Sequence, residues 1–77
     1  MQTHKHLVLI GKNIRELRSH GGFSQEGFAM EVGLDRAYYG GVERGERNIS
    51  SLNLIKIAAA LNVEVGDLFP SLEALTK

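Results

Sequence analysis

Gln25-Glu26-Gly27-Phe28-Ala29-Met30-Glu31-Val32-Gly33-Leu34-Asp35-Arg36-Ala37-Tyr38-Tyr39-Gly40-Gly41-Val42-Glu43-Arg44 is the stretch that decides the fold of this 77-residue chain. Apolar side chains fall at Phe28, Ala29, Val32, Leu34, Tyr39 and Val42, with Gly33 near the midpoint. The pattern predicts two short helices crossing steeply through a tight turn, with a small residue where they meet. Ser24 suits the N-cap of the first, because its hydroxyl can accept from an otherwise unpaired backbone N–H. The reciprocal carboxylate of a capping box would stand at position 27, where the chain has Gly27, so only half of that device is present. Gly33 ends the first helix, and Asp35 caps the second and favours its positive N-terminal end.

Outward from this pair, Ile10, Ile14 and Leu17 share one face of a helix over roughly 7–20, stopped by Gly21-Gly22. After the loop Gly45–Ile49, Ser50 or Ser51 caps a fourth helix with an apolar stripe of Leu54, Ile57, Ala58 and Leu61, and Asn62 suits its end. A last short helix is expected over 64–69, closed by Pro70. Residues 71–77 read as a frayed tail or one further turn carrying Leu72 and Leu75. No segment alternates with period two and no linker divides the chain. The expectation is therefore an all-α, compact five-helix domain spanning 1–77, with its core in 7–69 and tails at 1–6 and 71–77.

Composition fits a small soluble globule: 43% hydrophobic and 23% charged residues, with no cysteine for disulfides or thiolate ligands. The run Leu7-Val8-Leu9-Ile10 is too short for a membrane span or a signal-peptide core, and a cytoplasmic location is expected. Nine basic and nine acidic side chains cancel. Residues 1–50 nonetheless hold seven of the nine Lys and Arg, and Arg36, Arg44 and Arg47 cluster in and after the third helix. His4, His6 and His20 lack a carboxylate or cysteine at ligand spacing, so no metal is expected. No nucleophile–base–orienter set, phosphate loop or carboxylate pair can be assembled, and neither catalysis nor a cofactor is expected.

The third helix would hold its polar, arginine-bearing face outward, as a helix is presented to the major groove of DNA. Arg36, first in that helix, can reach guanine O6 and N7 with both prongs of its guanidinium, and Ala37 offers a methyl group to a thymine methyl. Tyr38 and Tyr39 point about 100° apart on a helix. Tyr39 belongs to the core, and Tyr38 faces outward toward a phosphate or base edge. Arg44, Arg47 and Asn48 suit phosphates or an adjacent groove. Gly40-Gly41 has two readings: a short helix held by tertiary contacts, or, at Gly41 especially, a backbone laid close to DNA. Glu43 is acidic where DNA would lie, which marks it as structural, paired with an arginine such as Arg15 or Arg44. Lys12, Arg15 and Arg18 read as surface charge on the first helix, with Lys12 the one placed for a phosphate.

With Ile14-Arg15-Glu16-Leu17-Arg18, Ser24-Gln25-Glu26, Val42-Glu43-Arg44-Gly45 and Lys56-Ile57-Ala58-Ala59-Ala60-Leu61-Asn62-Val63 in order, the chain resembles the lambda-repressor-like, XRE-type helix-turn-helix family over about 10–69. The segment Leu34–Ile49 is most similar to the controller proteins of restriction–modification systems. That resemblance implies a homodimeric transcriptional regulator on a roughly palindromic operator, governing its own and the endonuclease gene, with RNA polymerase a candidate further partner. It also implies that Gln25 bonds a backbone phosphate. Ala37 and Gly40 depart from the threonine and serine usual there, which bears on the operator read.

One such module touches few base pairs, so two recognition helices in successive major grooves, about 34 Å apart, are expected. Val65, Leu68, Phe69, Leu72 and Leu75 exceed what a small core needs, and four of them, Val65, Leu68, Phe69 and Leu72, are expected to supply an isologous interface between last helices. The rival reading is an antitoxin or similar module whose helix-turn-helix fold grips a partner protein.

Overall fold

The computed structural model describes residues 4–77. Among them the chain forms α1 (Lys5–His20), α2 (Gln25–Val32), α3 (Arg36–Glu43) and α4 (Ser51–Leu61), then a 3₁₀ turn (Val65–Leu68) and α5 (Leu72–Thr76), with no strand. The helix expected over 64–69 is that single 3₁₀ turn. Here the capping box missing at position 27 is found, between Glu64 and Asp67. Of the two readings of the tail, the further helical turn is the one formed, capped by Ser71 Oγ accepting from the Ala74 N–H at 3.2 Å.

α1 begins two residues earlier than its apolar spacing suggested. His4 caps it, Nδ1 accepting from the His6 backbone N–H at 3.1 Å. The tail expected over 1–6 lies outside the described residues at 1–3, and 4–6 belong to the cap and first turn of α1. The remaining helix boundaries follow from side-chain chemistry that is local in sequence. Ser24, Asp35 and Ser50 accept from the backbone N–H groups of Gly27, Tyr38 and Asn53, each satisfying a donor that the first helical turn leaves orphaned. α2 and α4 end alike. Gly33 and Asn62 adopt left-handed conformations with φ of 79° and 57°, and the next residues, Leu34 and Val63, donate back to Ala29 O and Ala58 O. This Schellman-type closure needs a residue that tolerates positive φ, which glycine and asparagine do.

The core gathers Ile14 of α1, Phe28 and Ala29 of α2, Tyr39 and Val42 of α3, Leu54, Ile57 and Ala58 of α4, and Leu68 of the 3₁₀ turn. Phe28 is central, with Phe23 edge-on at 5.1 Å between ring centroids and Tyr39 tilted at 5.5 Å. α1 packs on α3 where Gly11 presents no side chain. A Cβ there would stand 2.5 Å from the Glu43 carbonyl oxygen and close upon that of Val42. The N-terminal half of α1 is thus seated against the C-terminal turn of α3, which fixes where α3 lies. No helix among the described residues is long and apolar enough to cross a membrane.

Candidate nucleic-acid interface

α3 turns Tyr39, Val42 and Glu43 inward. Glu43 is the buried hub at its C-terminal end. Its carboxylate accepts from Arg18 Nε at 2.7 Å and Arg18 Nη2 at 3.1 Å, from Gln25 Nε2 at 2.8 Å, and from the Tyr39 hydroxyl. Arg18 Nη1 donates to Phe23 O at 2.8 Å, tying the turn after α1 into the same network. Burial alone would push the Glu43 carboxyl up. The bonds from Arg18, Tyr39 and Gln25, with the charge of Arg18, outweigh it and hold that carboxyl below its usual range. The bond to Glu43 raises Arg18 in turn, against the desolvation that opposes its charge. Burial and the neighbouring carboxylate push the Tyr39 hydroxyl strongly up, so it stays a donor.

This corrects two expectations. Glu43 is structural, as its sign suggested, but its partner is Arg18 and not Arg15 or Arg44, and Arg18 is not surface charge. Gly11, Ile14 and Arg18 recur at intervals of three and four and share the buried stripe of α1. Arg15 is rotated off that stripe to the exposed side, and Arg44 reaches Glu46 at 3.1 Å instead. The stripe was the signal that could have found Arg18.

Flanking its inward face, α3 carries Arg36, with Gly40 one turn on at i,i+4 spacing, and on its far side Ala37, with Gly41 one turn on. Arg36 and Ala37 are exposed. Arg36 Nη1 donates to Glu26 of α2, a partner that the sequence reading did not single out. Tyr38 is half-buried, packed against the core margin. Its hydroxyl accepts from Asn53 Nδ2 at 3.3 Å, so it lies along the α3–α4 junction more than straight outward.

Both glycines are buried, each beneath an arginine. A Cβ on Gly40 would stand 3.1 Å from Arg44 Nη1 and 3.4 Å from Gln25 Oε1, and one on Gly41 would stand 2.8 Å from Arg47 Cγ. The close approach that Gly41 permits in this structure is therefore that of the Arg47 stem. The two glycines let Gln25, Arg44 and Arg47 fold onto α3, joining them to Arg36 in one strip. Asn48 is exposed in the following loop. Arg44 holds the Glu46 carboxyl below its usual range through their hydrogen bond, so part of the loop's positive charge is already answered. Ser24, Gln25 and Glu26 open α2 beside this strip, and their backbone N–H groups add favourable potential for an anion.

At the other end of the molecule the four residues expected in an interface divide. Leu68 is wholly buried, because the 3₁₀ turn packs on α4 and points that side chain into the core. Leu68 therefore belongs to the core and not to an interface. Val65, Phe69 and Leu72 are exposed, Leu72 to 75%. Leu52 and Ile55 are exposed as well and, with Ala59, form a second apolar stripe on α4, unrecognised in the sequence because Leu54, Ile57 and Ala58 already accounted for that helix. Among the described residues, no group of His, Asp and Glu side chains is gathered as a metal site.

The helix-turn-helix family profile matches residues 14–68. The control protein C.MunI of Mycoplasma sp. is 40% identical over 67 residues, covering 86% of this chain and 90% of its own length. The control protein C.BamHI of Bacillus amyloliquefaciens is 44% identical over 62 residues, 79% of this chain and 76% of its own. Among solved structures, the restriction-modification controller protein C.AhdI from Aeromonas hydrophila superposes with a TM-score of 0.83 at 52% identity, over 86% of this chain and 100% of that one.

Proposed function

Since the chain belongs to the XRE-type helix-turn-helix family of DNA-binding transcription regulators, and within it is most like the restriction–modification controllers, we propose that it is a cytoplasmic homodimeric controller. In this reading it binds a roughly palindromic operator upstream of its own gene and governs that gene and an endonuclease gene. The observation that carries the reading is the strip on α3. Arg36 and Ala37 stand exposed at its N-terminal end, with Gln25, Arg44 and Arg47 folded along it and Gln25 held from behind by the buried Glu43.

Arg36 reads a guanine and Ala37 meets a thymine methyl. Gln25 donates one amide hydrogen to Glu43 and has a second for a phosphate oxygen. Arg44, Arg47 and Asn48 track the backbone beyond the helix. Tyr38, lodged by Asn53, offers its ring edge at the rim. Zero net charge keeps non-specific attraction low, so affinity comes from two copies. The exposed stripe of Leu52, Ile55 and Ala59, with Val65, Phe69 and Leu72, is the surface on which the second copy is seated. Regulation then follows concentration through dimerisation, with RNA polymerase the partner that reads the filled operator.

Footprinting on the DNA upstream of its own gene tests the reading. A protected pair of half-sites spaced by about one helical turn is expected, and Ile55→Glu should weaken both together. Absence of protection, with a stoichiometric partner protein recovered from the host, would instead support a module that grips protein.

A further inference from the structure

Arg36 reaches out of the fold yet is not free. Its Nη1 donates to the carboxylate of Glu26, at the second position of α2, and both side chains are exposed. An ion pair this open to water adds little to the stability of a fold. The placement of its two ends is nonetheless well determined. Ser24 caps α2 beneath Glu26, Gln25 beside it is clasped by Glu43, and Asp35 caps α3 immediately before Arg36.

We propose that Glu26 is the positioning residue that fixes which base Arg36 reads, and that it gains this discrimination by giving up general affinity for DNA. The proposal rests on the placement of α3 in the major groove.

The chemistry is that of one guanidinium with two edges. With Nη1 committed to Glu26, the edge formed by Nε and Nη2 remains for a pair of acceptors, and guanine O6 and N7 are such a pair. An unpaired arginine on a flexible stem can instead swing to a neighbouring phosphate or to the next base, at little loss of contact. The carboxylate removes that freedom by holding one corner of the fork. Covered by DNA, the pair loses the water that makes it weak on the free surface, so it orients more strongly where it is used. The same carboxylate faces the phosphates with no hydrogen to donate, and so repels every duplex alike. Discrimination and affinity therefore change in opposite directions when Glu26 is removed, which a residue that merely supports α2 would not cause.

The test uses a randomised duplex library. Sequences recovered by the wild type define the preferred duplex, and affinities for it, its single-base variants and a scrambled duplex are then measured over a salt series. The set comprises wild type, Glu26→Ala, Glu26→Gln, Arg36→Ala and the double variant, with helical content and melting checked for each. Arg36→Ala should abolish preference at one base position. Glu26→Ala should relax preference at that same position about fivefold, while binding the scrambled duplex about threefold more tightly at low salt, a gain that fades as salt rises. Glu26→Gln keeps an acceptor without the charge and should restore part of the preference. The double variant should show no preference change beyond that of Arg36→Ala.

Three results would overturn the proposal: unaltered preference in Glu26→Ala, weaker binding to the scrambled duplex, or loss of preference at a different base, which would make Glu26 a reader in its own right. Should Arg36→Ala itself leave every preference intact, the groove placement of α3 fails, and this proposal with it.

Discussion

At its C-terminal end α3 closes on Arg18 and Glu43, whose side chains are 9% and 2% exposed; at its N-terminal end it opens on Arg36 and Glu26, at 70% and 66%. Both are arginine–carboxylate pairs that join α3 to a neighbouring helix. The inner pair has its remaining groups answered by Tyr39, Gln25 and Phe23 O, and its geometry is bidentate, which is what a buried charge pair requires to offset its desolvation. The outer pair is monodentate and bathed in solvent. What differs is not the chemistry of the ions but how much water each retains. One pair sets the position of the helix and the other stays available to a ligand.

The largest effect expected from this contrast is on the inner pair. Glu43→Ala strands the Arg18 guanidinium in the core and should lower unfolding stability by about 3–5 kcal/mol in chemical denaturation. Replacing both members by apolar residues of similar volume should recover much of that loss. If Glu43→Ala cost no more than a surface substitution, the network would not be what holds α3. Next comes Gly11→Ala, where the new methyl group meets the backbone of Val42 and Glu43. Alanine's helix-propensity advantage of about 1 kcal/mol is outweighed by overpacking of about 1–3 kcal/mol or more, so melting should fall. DNA discrimination should weaken with it, because the seat of α3 moves.

Acid sharpens the comparison without mutation. The Glu43 carboxyl titrates lower in the folded chain than in the unfolded one, whose ordinary value is 4.5. Its contribution is complete above that value and is lost as pH falls through the lower folded one. Stability measured from pH 7 down to 3 should drop at the acid end, and Glu43→Gln should flatten that limb. Smallest of all is the outer pair. Arg36→Ala should alter unfolding stability by no more than about 0.5 kcal/mol while removing about 1–3 kcal/mol of discrimination at one base. A large stability loss there would mean that the outer pair, too, is part of the scaffold.

The same divide separates what was legible in the chain from what was not. Ser24, Gly33, Asp35, Ser50 and Asn62 act on backbone groups a few residues away, so sequence alone placed the helices to within a residue or two at most ends. Tyr39 and Val42 declared themselves by spacing. Arg18 shares its spacing with Gly11 and Ile14, but its charge argues for the surface unless a partner is known, and Glu43 lies 25 residues further on. Leu68 was assigned outward as surplus apolar surface, whereas a 3₁₀ turn packed on α4 needs one such residue inside. The double glycine resisted reading for a similar reason. Its neighbours are Gln25, at the start of α2, and Arg44 and Arg47, just past α3, and only their assembly shows that the bare backbone is roofed by side chains. At the candidate site, Arg36, Ala37 and Asn48 stand exposed where helix position placed them, whereas Glu26 and Asn53 emerged only from contacts across helices.

In the proposed complex α3 enters the groove by its N-terminal end while Glu43 holds it from behind. Titrating isotope-labelled protein with the duplex it selects, and following the backbone amide signals, tests this most directly. The largest changes should fall at 24–26, 35–38 and 44–48, with the amides of Arg18, Tyr39 and Glu43 moving little. Changes centred on α4 and α5, with 35–38 unmoved, would contradict it.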